Sequence, residues 1–134
     1  MWPFRRSNPA VNGSAALGRR GERLARQALR RAGLKILSSN YRCPAGEVDL
    51  IALHPQRDGD VLVFVEVKTR ASDFHTPPAS AVDAQKQHRL RRCADYYVAG
   101  RPAAAELPLR FDVISIVAAG GKPPRVEHIE DAFR

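Results

Sequence analysis

Residues 61–70 read Val61-Leu62-Val63-Phe64-Val65-Glu66-Val67-Lys68-Thr69-Arg70. Five apolar, mostly β-branched residues open the run and predict a buried strand over Val61–Val65. Side chains in a strand alternate faces, so Glu66 and Lys68 point the same way and continue the face of Leu62 and Phe64. A carboxylate and an ammonium entering the end of a core strand must be paired, hydrated or bound to a metal, because burying either alone is costly. A simple ion pair at the strand end is the plainer reading of an isolated Glu-x-Lys.

A second acidic strand lies upstream. Gly46-Glu47-Val48-Asp49-Leu50-Ile51-Ala52-Leu53 repeats the design, with carboxylates opening an apolar strand and Glu47 and Asp49 on one face. If the two strands are neighbours, Asp49, Glu66 and Lys68 come together as a hard-metal site with a lysine beside it.

Composition narrows the alternatives. The 134 residues are one domain of ordinary size, long enough for a real core. A hydrophobic content of 44% argues against wholesale disorder. The apolar runs fall far short of the ~20 residues of a membrane span, so no transmembrane helix is expected. The N-terminus has no apolar segment behind its arginines, and the expected compartment is the cytoplasm. Cys43 and Cys93 stand far apart in sequence and fit neither a zinc site nor a disulfide scaffold; the expectation is two reduced, partly buried thiols.

The net charge of +8 is unevenly spread: residues 1–45 hold ten Lys/Arg against the single acid Glu22, while residues 46–134 hold twelve against thirteen acids. A basic N-terminal region over a nearly neutral body suggests a polyanionic partner, most commonly nucleic acid, with salt-dependent affinity. The competing reading is an exposed helix face that is basic by general arginine preference, since the chain has 18 Arg and 4 Lys. That preference makes the lysine beside Glu66 more telling, because a compact ammonium differs chemically from a planar guanidinium.

Residues 1–13 read as a flexible basic tail, and 14–134 as a single domain. From Ser14 to Ala32, Leu17, Gly21, Leu24, Ala25, Ala28, Leu29 and Ala32 follow helical spacing, and Gly33 is a stop signal. Glu22 lies at the edge of that stripe, with Arg19, Arg23, Arg26 and Arg30 around the other side. Strands are expected at Leu34–Tyr41, Glu47–Leu53 and Val61–Thr69, with Pro55 and Asp58-Gly59 supplying an antiparallel turn. A helix is expected over Ala79–Ala99, a fourth strand at Leu109–Val117 and a short edge strand at Arg125–Ile129. The helix between strands three and four demands a crossover, so those strands should be parallel in a mixed central sheet flanked by helices.

This α-β-β-β-α-β order, with an Asp on the second strand and Glu-x-Lys on the third, resembles the PD-(D/E)XK, or restriction-endonuclease-like, nuclease superfamily. More narrowly, the chain is similar to the bacterial YraN-like family, considered relatives of archaeal Holliday-junction resolvases. The matching stretches are Gly18-Arg-Arg-Gly-Glu22, Asn40-Tyr-Arg42, Gly46-Glu-Val-Asp-Leu-Ile51, Val63-Phe-Val-Glu-Val-Lys-Thr-Arg70, Lys86 and Arg110-Phe-Asp112, within residues 17–117. One departure is visible: the family usually carries Gly straight after the Phe of the loop past the third strand, where this chain has His75 after Phe74.

The resemblance implies an endonuclease that cleaves phosphodiester bonds in structured or branched DNA with Mg²⁺ (or Mn²⁺). Asp49, Glu66 and the Val67 carbonyl would hold the metal, which would polarise the phosphate and activate a water. Lys68 would position that water or offset transition-state charge. Glu22 would complete the site through water or a second metal, or else pair with Arg19, Arg23 or Arg26. Glu47 is either an outer ligand or the partner of an arginine, and Asp112 is expected to orient backbone or Arg110. Candidate phosphate contacts are Arg19, Arg23, Arg30, Arg42, Arg70 and Lys86, with solvated surface charge the alternative for Arg42 and Lys86. His54, His75, His88 and His128 show no ligand spacing. Resolvases act as dimers on a two-fold junction, so a homodimer is in keeping with the resemblance. The alternative function is a non-catalytic nucleic-acid-binding module on the same fold.

Overall fold

The apolar alternation around Val61–Val65 belongs to a strand longer than its buried part. In the computed structural model, which describes residues 9–71, 82–118 and 121–134 and only the backbone of 9–15, the elements are α1 (Pro9–Arg31), β1 (Lys35–Cys43), β2 (Gly46–Gln56), β3 (Gly59–Arg70), α2 (Ala84–Ala99), α3 (Pro102–Ala105), β4 (Leu109–Val117) and β5 (Arg125–Phe133). The expected tail up to residue 8 and the Phe74–His75 departure lie outside the described residues. The five strands form one sheet in the order β1-β2-β3-β4-β5. β1, β2 and β3 pair antiparallel, β3 and β4 parallel, and β4 and β5 antiparallel. This is the expected mixed sheet, with α2 in the crossover that a parallel pair requires.

Alternation along β3 sorts its side chains onto two layers. Leu62 and Phe64 join Val48, Ile51 and Val113 beneath Leu90, Cys93, Ala94 and Tyr97 of α2. Val63 and Val65 join Leu50, Ala52, Ile114 and Ile116 beneath Ala25 and Leu29 of α1. A helix therefore seals each face, and each large apolar side chain so buried contributes ~1.5–3 kcal/mol. Gly21 lets α1 pass close over β3: a Cβ there would overlap Thr69 Oγ1, a clash that a short β-branched side chain cannot relieve without moving the helix. α1 ends as expected, with Gly33 at φ 90° and the Leu34 amide donating to the Leu29 carbonyl at 2.9 Å, the Schellman closure.

Several boundaries differ from expectation. α1 begins at Pro9, where a proline in the first turn sacrifices no intrahelical bond. α2 begins at Ala84 because Asp83 caps it, its Oδ1 accepting the Lys86 amide at 2.8 Å. β2 and β3 extend into the expected turn, with Pro55 opposite Asp60 and Gln56 opposite Gly59. β5 runs on to Phe133 past a ladder irregularity opposite Phe111–Val113. No helix among the described residues is long and apolar enough to cross a membrane. Cys43 and Cys93 are free thiols, as expected, but they are not isolated in space: their sulfurs lie 3.4 Å apart between β1 and α2.

Candidate functional site

The regular β2–β3 ladder runs from the turn to the pair Leu50–Val65. Past it, a side chain takes over from the backbone: Asp49 Oδ2 accepts the Val67 amide at 2.7 Å. Glu66, between Val65 and Val67, faces α2 and is only 7% exposed. It meets Lys86 there, with Nζ 2.5 Å from Oε1. The cap at Asp83 fixes the first turn of α2 and so places this lysine. Gly46, Glu47, Asp49, Glu66, Lys86, Arg89 and Leu90 together line a cavity of about 230 Å³. Its floor is acidic and its α2 wall carries two cations.

The second carboxylate in the cavity changes the chemistry of Asp49. The carboxyl of Asp49 is pushed up to about 7, first by burial and then by the negative charge of Glu66. The hydrogen bond from Val67 pulls it back down, Glu47 adds a smaller upward push, and Lys86 a small downward one. The floor is thus short of positive charge even with Lys86 in place.

The other residues singled out in the sequence are distributed around this centre. Lys68 does not line the cavity, and its side chain makes no hydrogen bond or ion pair to another described residue; the lysine that reaches Glu66 is Lys86, on α2. Glu22 is also outside the cavity lining. It accepts from Asn40 Nδ2 at 2.9 Å and pairs with Arg26 at 3.3 Å, one of the arginine partners open to it in the sequence. Glu47 lines the cavity and also faces Arg42 at 3.9 Å. Arg19, Arg23 and Arg30 stand exposed along α1. Arg70 is half-buried and donates to Ser115 Oγ at 3.4 Å. The residue that sequence reasoning passed over is Arg89. The signal was available: Lys86, Arg89, Leu90 and Cys93 fall at helical spacing on one face of α2.

A second buried acid, Asp112 on β4, is wholly enclosed and richly partnered. Arg110 donates to it through Nε at 2.8 Å and Nη2 at 2.9 Å. His128 Nε2 lies 2.7 Å from Oδ2, and the Asp131 amide donates to Oδ1 at 3.0 Å. Burial by itself would raise this carboxyl, but the bonds from His128, Arg110 and Asp131 hold it below the ordinary carboxylate range. Asp131 sits at φ 51°, and Asp112 receives its amide where the β4–β5 ladder is irregular. Asp112 thus orients an arginine and backbone, as expected. His54 and His128, without ligand spacing in the sequence, both join this network, His54 through Arg110 at 3.0 Å.

The residues that could hold a cation are therefore Asp49 and Glu66. Among the described residues no group of three His, Cys, Asp or Glu side chains is placed to bind a metal. Two carboxylates suit a hard dication that keeps several waters, such as Mg²⁺, better than a softer metal wanting nitrogen or sulfur.

Comparison with known proteins gives the chain its family. Residues 21–116 match the model of "Uncharacterised protein family UPF0102". The chain is 44% identical over 118 residues to a UPF0102 protein of Geobacter metallireducens, covering 88% of this chain and 92% of the relative. It is 43% identical over 117 residues to one of Thermodesulfovibrio yellowstonii, covering 87% and 95%. With one of Rhodococcus jostii it shares 45% over 120 residues, covering 88% and 96%. The matched segment starts at Gly21, where α1 touches β3, and contains every residue of the acidic cavity. The chain belongs to the UPF0102, or YraN-like, family.

Proposed function

We propose that this protein is a metal-dependent endonuclease acting on structured or branched DNA. One observation carries the reading: Asp49 and Glu66 line the same cavity, and Asp49 is held up to about 7 by burial and by Glu66. A pair of acids so placed is a demand for positive charge that a bound dication would meet. Asp49 and Glu66 would hold Mg²⁺ or Mn²⁺, with the Val67 carbonyl and waters as further oxygen ligands. When bound, the ion would supply Lewis acidity toward a phosphate oxygen and a water of lowered pKa.

The chain's own groups would do the rest. Lys86 now neutralises Glu66; relieved of that task by the cation, it would join Arg89 as a wall of donors for the phosphates flanking the scissile bond. Lys68, two residues beyond Glu66 on β3, would position the attacking water or offset charge in the transition state. Arg19, Arg23 and Arg30 on α1, with Arg42 and Arg70, would follow the nucleic-acid backbone without reading sequence. Four-way or flapped DNA is the favoured substrate because the resolvase resemblance points there, and a homodimer would match a two-fold junction.

A second reading, a nucleic-acid-binding module without turnover, is favoured by the Lys86–Glu66 ion pair, which supplies a cation from within the chain. Incubation with linear, flapped and four-way-junction DNA in Mg²⁺, Mn²⁺ or EDTA separates the two. The nuclease reading expects metal-dependent cleavage that collapses in Asp49→Asn and Glu66→Gln while DNA binding persists, and that falls ~10²–10³-fold in Lys68→Ala. Binding without cleavage of any substrate would favour the module.

A further inference from the structure

We propose that Cys43 and Cys93 are a redox pair whose reversible disulfide staples α2 to the β1–β2 hairpin and encloses the whole acidic cavity in a covalent ring. These are the chain's two cysteines. They end a strand and sit mid-helix, 50 positions apart, yet the Cys43 thiol donates to Cys93 Sγ at 3.4 Å. A disulfide needs a separation of ~2.05 Å, so the sulfurs, 3.4 Å apart, must approach by only about 1.4 Å. The pair lies in the same β1–α2 contact as Tyr41 and Tyr97, whose ring centroids are 5.2 Å apart, so the two elements are already held face to face.

The position gives the bond a consequence. Cys93 shares α2 with Lys86, Arg89 and Leu90, all of which line the cavity. Its sulfur also packs on the opposite wall: a Cβ on Gly46, another lining residue, would lie 3.6 Å from Cys93 Sγ. Residues 43–93 include Asp49, Glu66, Lys68, Lys86 and Arg89, so one bond would tie both walls of the cavity together and limit how far α2 can move from its acidic floor.

The two thiols differ in a way that sets the order of events. Cys43 is partly accessible and Cys93 is buried. Burial, followed by contact with Cys43, pushes the Cys93 thiol up to about 12, so Cys93 stays protonated and is not the first to react. With a peroxide as oxidant, the Cys43 thiolate attacks one peroxide oxygen, the O–O bond breaks, and water leaves after protonation, giving a Cys43 sulfenic acid. Cys93 sulfur then attacks Cys43 sulfur; the S–S bond forms, the S–O bond breaks, and the Cys93 proton leaves with the hydroxyl as a second water. Two thiols lose two electrons and the peroxide gains them. A dithiol reductant reverses the change.

The test uses the full chain, reduced, desalted and treated with hydrogen peroxide, then examined by intact mass, peptide mapping and thiol titration. The expected product is a monomer lighter by two hydrogens, with a Cys43–Cys93 linked peptide, no titratable thiol, and full reversal by dithiothreitol. Its melting temperature should rise by several degrees relative to the reduced chain, since the closed loop is long. Cys43→Ser and Cys93→Ser should each abolish the mass change and the shift. Cross-linked dimers through Cys43, a sulfinic or sulfonic Cys43 beside an untouched Cys93, or two thiols that still titrate would each overturn the proposal.

Discussion

Asp49 and Asp112 are aspartates on strands of the same sheet, the first half-buried and the second wholly enclosed, and their carboxyls are driven in opposite directions. Asp112 has an arginine, a histidine and a backbone amide around it and is held below its ordinary value. Asp49 has one amide and a second acid for a neighbour, and is raised to about 7. Loss of solvent pushes both upward. What separates them is how many compensating donors the chain itself supplies, and that difference marks Asp112 as part of the scaffold and Asp49 as the acid that the proposed cation would serve.

The largest effect should come from breaking the satisfied centre. Asp112→Ala takes from the nearly enclosed Arg110 side chain its bidentate carboxylate partner and should cost ~3–5 kcal/mol in denaturant unfolding. Asp49→Asn should instead leave stability unchanged or raise it by ~1–2 kcal/mol at neutral pH, because it removes a charge that the folded state disfavours. Equal losses in the two variants would erase the distinction.

The two aspartates should also give opposite pH slopes. The folded chain holds the Asp49 proton from its ordinary 3.8 up to about 7, where the unfolded chain has released it, so stability falls as pH rises through that window. Asp112 contributes stability above the ordinary aspartate value, lost as pH falls below it toward the lowered folded value. Asp49→Asn should flatten the first slope and leave the second. An unaltered melting profile between pH 4 and 7 in that variant would contradict the assignment.

Removing the internal cation sharpens the comparison further. Lys86→Met strips Glu66 of its counter-ion and should cost ~1–2 kcal/mol at neutral pH. Millimolar Mg²⁺ should restore that loss, with a larger rise in melting temperature than in wild type. No added response to Mg²⁺ would mean that the acidic floor is not where cations bind. Smallest of all, neutralising Arg19, Arg23 and Arg30 together should change stability by less than about 0.5 kcal/mol per residue while weakening DNA binding and flattening its salt dependence. Unchanged binding would leave the α1 arginines as a solvated face.

Much of this was legible in the chain because periodicity carries it. The run Val61–Val65, the acidic start of β2 and the acidic end of β3 place Asp49 and Glu66, and the α2 crossover forces β3 and β4 parallel. Partner choice was not legible. Glu66 could have met Lys68 on its own strand, and only three-dimensional packing brings Lys86 across from α2. Glu22 found Asn40, whose left-handed conformation at φ 54° no sequence spacing announces. The Arg110–Asp112–His128 network depends on the irregular pairing of β4 with β5, and the Cys43–Cys93 contact on how α2 lies over the β1 end. Each joins elements distant in sequence, where alternation and helical spacing are silent.

Calorimetric titration of the full chain with Mn²⁺ near pH 7 tests the proposed cation site most directly. One saturable site per chain is expected, abolished by Asp49→Asn and by Glu66→Gln. Binding should also release protons, since Asp49 is partly protonated at that pH before the cation arrives. Binding that is absent in wild type, or equal in wild type and both variants, would contradict the account.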